Sequence, residues 1–106
     1  MTIPHRALAF AEDRTAVREE VHHRARAHGP DGKAFALLVA NISARGLMAR
    51  CDLPYVVGDR LKVTLPLVGE LAATIRWSLG GRIGCEFDAP IVSGQYFPLL
   101  AMLSKK

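Results

Sequence analysis

Two arginines, Arg14 and Arg18, and a short polar corner, Asn41-Ile42-Ser43-Ala44-Arg45-Gly46, are the residues of this chain whose types and spacing suit shared chemistry. A guanidinium presents a planar fork of N–H donors that meets a phosphate, or the O6/N7 edge of guanine, with two parallel hydrogen bonds. Asn41 adds amide donors and a carbonyl, Ser43 a rotatable hydroxyl, and Gly46 a backbone that nothing shields. Together they suit the grip of an anionic ligand. Each also has a plainer reading: Asn41 and Ser43 commonly bond their own backbone in turns, Gly46 serves a positive backbone angle, and arginines four apart lie on a solvated face. Arg45 is an additional candidate that adds a cation or stacks on a base, against a solvated arginine as the plainer alternative.

Other chemistries find less support. The sequence holds no GxSxG, HExxH or Walker loop, and Asp52, Asp59, Glu70, Glu86 and Asp88 are too dispersed to nominate a catalytic pair, so no enzyme is expected. His22 and His23 are adjacent and would face opposite sides of a strand, while His5 and His28 have no partner at ligand spacing, so neither a metal nor a cofactor is expected. Cys51 and Cys85 lack CxxC spacing and follow no secretory signal, which points to unpaired thiols in a reducing cytoplasm, Cys85 as a small core residue. The apolar runs Phe35 to Ala40 and Phe97 to Leu103 fall short of the roughly 20 residues that a membrane span needs, so no membrane insertion is expected. A formal net charge of +4, mostly from arginine, favours anionic partners or simple solubility about equally. Nucleic acid is not expected, because basic and aromatic residues do not interleave along any one strand, and Trp77 reads as core or barrel rim rather than a stacking platform.

The elements that must position these residues are short. At 106 residues, half of them hydrophobic, the chain fits a single compact domain. Ala34 to Ile42 reads as an apolar strand ending at the polar corner, and Gly46 to Cys51 as the next. Arg60 to Leu65 alternates polar and apolar residues, as a strand with one wet face should. Pro66 to Gly69 reads as a turn, Glu70 to Ser78 as a strand, and Gly80-Gly81 as a two-residue hairpin turn into Arg82 to Phe87. Tyr96, Leu99, Leu100 and Leu103 recur at helical spacing, with Ser93 as N-cap, Pro98 in the first turn and Lys105 and Lys106 at the negative end of the dipole. Residues 6–28 are ambiguous. Their lack of Gly and Pro favours a helix, yet Val21, His23, Ala25 and Ala27 also alternate, and His28 to Gly32 forms a strong turn into the strand at Ala34.

Taken in order, these features resemble the PilZ domain family. The resemblance rests on Arg14 and Arg18 as RxxxR, on Asn41 to Gly46 as (D/N)xSxxG, and on Ile83-Gly84-Cys85-Glu86-Phe87 as the closing strand. Val57-Gly58-Asp59-Arg60-Leu61 and Ile75-Arg76-Trp77 look like the family's VGD turn and a following strand, and the likeness spans roughly Asp13 to Ile91. It implies a mainly β fold, a six-stranded antiparallel barrel with a C-terminal helix, and it turns the ambiguous first third toward strand. Residues 1–18 become a flexible arm carrying RxxxR, and residues 19–106 the barrel and its helix.

The resemblance further implies binding of the bacterial second messenger cyclic di-GMP. Arg14 and Arg18 would hold phosphates and guanine edges, while Asn41, Ser43 and Gly46 form the barrel side of the site. With no output domain on the chain, the signal is expected to pass to an unidentified protein effector. A rival is a PilZ-like adaptor that binds no nucleotide and acts only through protein contacts in pilus or flagellar machinery. It gains from the acidic neighbours Glu12, Asp13, Glu19 and Glu20, although exposed ion pairs are worth only about 0–1 kcal/mol.

Overall fold

The computed structural model describes residues 18–103, so Arg14, the rest of the expected arm before Arg18, and Lys105 and Lys106 lie outside the described residues. Six strands form in chain order: β1 (Glu19–His28), β2 (Ala34–Ser43), β3 (Gly46–Arg50), β4 (Arg60–Leu65), β5 (Gly69–Leu79) and β6 (Arg82–Phe87). They close into one antiparallel barrel in the order β1-β2-β3-β6-β5-β4, followed by the helix α1 (Ser93–Leu103), the one helix among the described residues. This is the mainly β architecture expected. Among the described residues, no helix is long and apolar enough to cross a membrane.

Residues 19–28, which local propensity leaves open, are a strand. Val21, Ala25 and Ala27 are buried while His22, Arg24 and Arg26 are exposed, and β1 pairs along its length with β2 from Glu19↔Ile42 to His28↔Ala34. Tertiary pairing outweighs the helix preference of Glu, Arg and Ala. Register shifts interrupt the ladders between Glu20 and His23, between Val39 and Asn41, and between Ile75 and Trp77. In each case an extra residue bends its strand, which helps a short sheet curl shut.

The interior is aliphatic. Leu37, Val39, Ile42, Leu61, Val63, Leu65, Ile75 and Ile83 are each almost wholly buried, and burying such a side chain is worth about 1.5–3 kcal/mol. Helix α1 covers this interior with Tyr96, Leu99 and Leu103. Its start differs from expectation. The Val92 carbonyl accepts the N–H groups of Gln95 at 2.8 Å and Tyr96 at 2.9 Å, so Ser93 is the first residue inside the helix rather than its cap. Pro98 therefore stands in the second turn, on the exposed side of the helix, where it has no N–H to offer the Gly94 carbonyl.

The β5–β6 connection is the two-residue turn read from the sequence. Gly80 and Gly81 both have positive φ, at 60° and 79°, and Leu79 pairs with Arg82 across it, as a type I′ turn requires. On the outer surface Arg60 grips Asp88 with both terminal guanidinium nitrogens, Nη1 and Nη2, at 2.8 and 2.7 Å, and its Nη1 also donates to Thr74 Oγ1 at 3.0 Å. The hydrogen bond from Arg60 holds the Asp88 carboxyl below its ordinary value of 3.8. A depressed folded-state value means that this contribution is present above the unfolded value and is lost as pH falls through the folded one. Acid should therefore lower the urea midpoint less in Asp88→Asn than in the unaltered protein between pH 6 and the acid limb, a small difference because both groups are exposed.

Cys51 and Cys85 are buried free thiols. Burial, with a lesser contribution from Cys51, pushes the Cys85 thiol up from 9.0 to about 12. The folded protein should therefore shield Cys85 from a thiolate-directed reagent at pH 8, with labelling only after denaturation. Because the folded value is the raised one, the corresponding stability is intact below 9.0 and lost as pH rises toward about 12.

Candidate ligand-binding corner

The antiparallel pairing of β1 with β2 sets Glu19 opposite Ile42 and Glu20 opposite Asn41, so Arg18, one residue earlier, arrives at the polar corner. Its Nη1 donates to Asn41 Oδ1 at 3.5 Å, the long limit of a hydrogen bond, across 23 residues of sequence. The amide of Asn41 in turn donates through Nδ2 to Met48 Sδ at 3.8 Å, which orients its carbonyl toward Arg18. One guanidinium of the RxxxR pair and the first residue of the corner are thus brought together. Glu20 is exposed beside Asn41 and sets a carboxylate against any anion held there.

The hairpin turn between β2 and β3 is Ala44-Arg45, closed by the pair Ser43↔Gly46. Ser43 is buried, and its Oγ accepts the Arg45 N–H at 3.2 Å, the turn-capping role that serine often plays. Its hydroxyl proton remains available for donation. The turn is latched from below: the carbonyl of Arg45 accepts the Phe87 N–H at 2.9 Å, and that of Ala44 accepts the Ile91 N–H at 2.8 Å. The Tyr96 hydroxyl donates to the Ile42 carbonyl at 3.3 Å, and burial followed by the charge of Glu19 raises its pKa. Helix α1 therefore braces the same corner.

Gly46 has a different reason for being glycine than a positive φ, which it does not have. A Cβ there would overlap the Cys85 backbone carbonyl and crowd the Glu86 Cα, because Gly46 pairs with Glu86 where β3 runs against β6. Its missing side chain lets two backbones close on each other. Arg45 is exposed at the tip of the turn.

Strand parity places one further residue in this neighbourhood. Ile42, Leu47, Ile83 and Cys85 face inward, so Asn41, Met48 and Gly84 face outward, and the pairs Asn41↔Met48 and Met48↔Gly84 align them in a row. Trp77 pairs with Gly84, and its indole lies where a Gly84 Cβ would be. The row therefore runs from guanidinium through amide and thioether to a half-buried indole on the outer wall. Sequence reading placed Trp77 at the core or rim. The signal that could have found it is a glycine inside a strand facing a tryptophan across a hairpin, a pattern that marks close approach.

Chemically, the corner offers cationic and neutral donors to an anion, and beside them a flat apolar surface suited to a planar ring. Among the described residues, no group of three or more His, Cys, Asp or Glu side chains is placed to hold a metal ion. No protein-family model matches the chain, and a search of curated proteins finds no match to it.

Proposed function

We propose that this chain is a PilZ-like receptor that binds cyclic di-GMP at the Arg18–Asn41 corner and relays its presence to a partner protein in the cytoplasm. The observation that carries the reading is the approach of the Arg18 guanidinium to the Asn41 side chain, a contact that the fold makes between residues 23 apart. Cyclic di-GMP carries two phosphates and two guanines, and each of these groups can take an arginine fork. Arg18 supplies one fork and Arg14 a second, Asn41 and the Ser43 proton donate from the barrel, and Arg45 adds positive charge at the turn. The Trp77 indole gives a guanine a face to stack on. Ligand binding then changes the surface around the start of β1 and the brace from α1, and a partner reads that change.

A second reading, an adaptor that binds no nucleotide, is favoured by a specific observation. The Ser43 oxygen already caps its own turn, and the space above Gly46 is taken by β6. Titration calorimetry with cyclic di-GMP separates the two. Heat with saturation at micromolar ligand supports the receptor, and no heat at micromolar protein and ligand supports the adaptor. An oligonucleotide that outcompetes the cyclic dinucleotide overturns both.

A further inference from the structure

The barrel wall formed by β1, β2, β3 and β6 carries three arginines that play no part in the corner. Register alone aligns them: Arg24 pairs with Leu38, Leu38 with Arg50, and Arg50 with Arg82. All four side chains are exposed on the outer face. Arg24 and Arg50 are two strands apart, about 10 Å. Arg50 and Arg82 are direct neighbours, and because Cys51 N–H bonds to the Gly81 carbonyl at 2.9 Å, the 50–82 pair falls at the narrow, non-hydrogen-bonded step, with Cα atoms about 4.5 Å apart. Like charges directly opposite each other on a sheet destabilise it.

Arg60 and Arg76 are each neutralised, by Asp88 and Glu86. Among the described residues, Arg24, Arg50 and Arg82 make no hydrogen bond or ion pair, and exposed Arg26 on β1 makes none either. Among the described residues that line the groove between them, Asp52, beside the Gly80-Gly81 turn, is the one carboxylate, one negative charge against three positive. Between the arginines lies a groove of about 560 Å³, lined also by Leu38, Leu53 and Phe35. Leu38 and Leu53 are each 42% exposed. Phe35 is half-buried and held at 5.2 Å from the Tyr55 ring, tilted at 51°, so the groove offers no open flat ring for a nucleobase.

We infer that the Arg24–Arg50–Arg82 row and its groove are the docking surface for an acidic segment of a partner protein, one with carboxylates flanking an apolar side chain. A carboxylate that reaches Arg50 and Arg82 relieves their mutual repulsion and takes two forks, and Arg24 takes a second carboxylate. Leu38 and Leu53 receive the apolar side chain between them. Arginine set around exposed aliphatic residues is the composition of a protein interface. A nucleic-acid groove interleaves cations with stacking aromatics instead. The surface stands independently of whether a cyclic dinucleotide binds at Asn41.

The test uses fluorescence anisotropy with a labelled peptide of alternating Glu and Leu, a Lys–Leu peptide of equal length, and a thymidine oligonucleotide. The full chain is expected to bind the Glu–Leu peptide, more weakly as salt rises, and not the Lys–Leu peptide. Arg50→Glu/Arg82→Glu should weaken this at least about tenfold, and Lys33→Glu/Lys62→Glu, with the same change in net charge, by less than about threefold. Arg50→Gln/Arg82→Gln serves in its place if circular dichroism shows that the charge reversal does not fold. Equal losses in both lysine and arginine variants, no binding of the acidic peptide, or preference for the oligonucleotide would overturn the proposal. Arg18→Ala should leave peptide binding unchanged, and Arg50→Glu/Arg82→Glu should leave cyclic di-GMP heat unchanged, so failure of one surface is distinct from failure of the other. Loss of cyclic di-GMP binding in Arg50→Glu/Arg82→Glu without loss of peptide binding would assign the row to the nucleotide instead.

Discussion

Gly46→Ala should lower the unfolding free energy by about 3 kcal/mol, read as a fall in the urea midpoint at unchanged slope. The added methyl meets the Cys85 carbonyl and the Glu86 Cα, which are backbone atoms of the neighbouring strand and cannot rotate aside like a side chain. Relief requires β3 to move off β6, and the corner is latched there by Phe87 and Ile91 to the carbonyls of Arg45 and Ala44. Gly94→Ala is the matched control. Nothing lies within 4 Å of a Cβ at that exposed helical position, so alanine there should stabilise by roughly 0.5–1 kcal/mol. An unchanged midpoint for Gly46→Ala would mean that β3 and β6 do not approach this closely. The prediction also governs how binding data are read: lost ligand affinity in a Gly46 variant reports a displaced strand before it reports a lost contact.

What the sequence could reveal divides along physical lines. Arg60 to Leu65 was legible because its alternation is the burial pattern itself, exposed then buried at every step. The Gly80-Gly81 turn was legible because only glycine enters two successive positive-φ positions without strain. Residues 19–28 were not legible from local propensity, and only the family resemblance turned them toward strand, because propensity is local while their strand state is decided by pairing with β2 and β4. The three register shifts were equally hidden, since an extra residue is extra only relative to its partner strand. Trp77 shows the consequence: its place on the outer wall follows from the shift after Ile75 and from the bare Gly84 beneath it. At the corner, the polar residues and the hairpin position of Asn41 to Gly46 could be read directly. The reason for Gly46 could not, because it lies in the backbone of β6.

Arg18→Ala should weaken cyclic di-GMP binding by about 1.5–3 kcal/mol, roughly 10- to 150-fold in Kd, the worth of a charge-assisted hydrogen bond, with Arg14→Ala of similar size. Asn41→Ala should cost less, about 0.5–1.5 kcal/mol, because its hydrogen bonds are neutral. Arg18→Lys separates charge from shape. Lysine keeps the positive charge but loses the fork, so it should not restore binding if the guanidinium meets phosphate or guanine with two bonds, and should restore most of it if only attraction matters. The exposed carboxylate of Glu20 opposite Asn41 supplies a test of opposite sign, since Glu20→Gln removes a repulsion and should tighten binding. Calorimetry on these five variants and the parent makes the outcomes distinct. Binding that survives Arg18→Ala at full strength places the nucleotide elsewhere on the barrel, whereas a parent protein that gives no heat leaves the Arg18–Asn41 contact as a structural tie at the mouth of an adaptor.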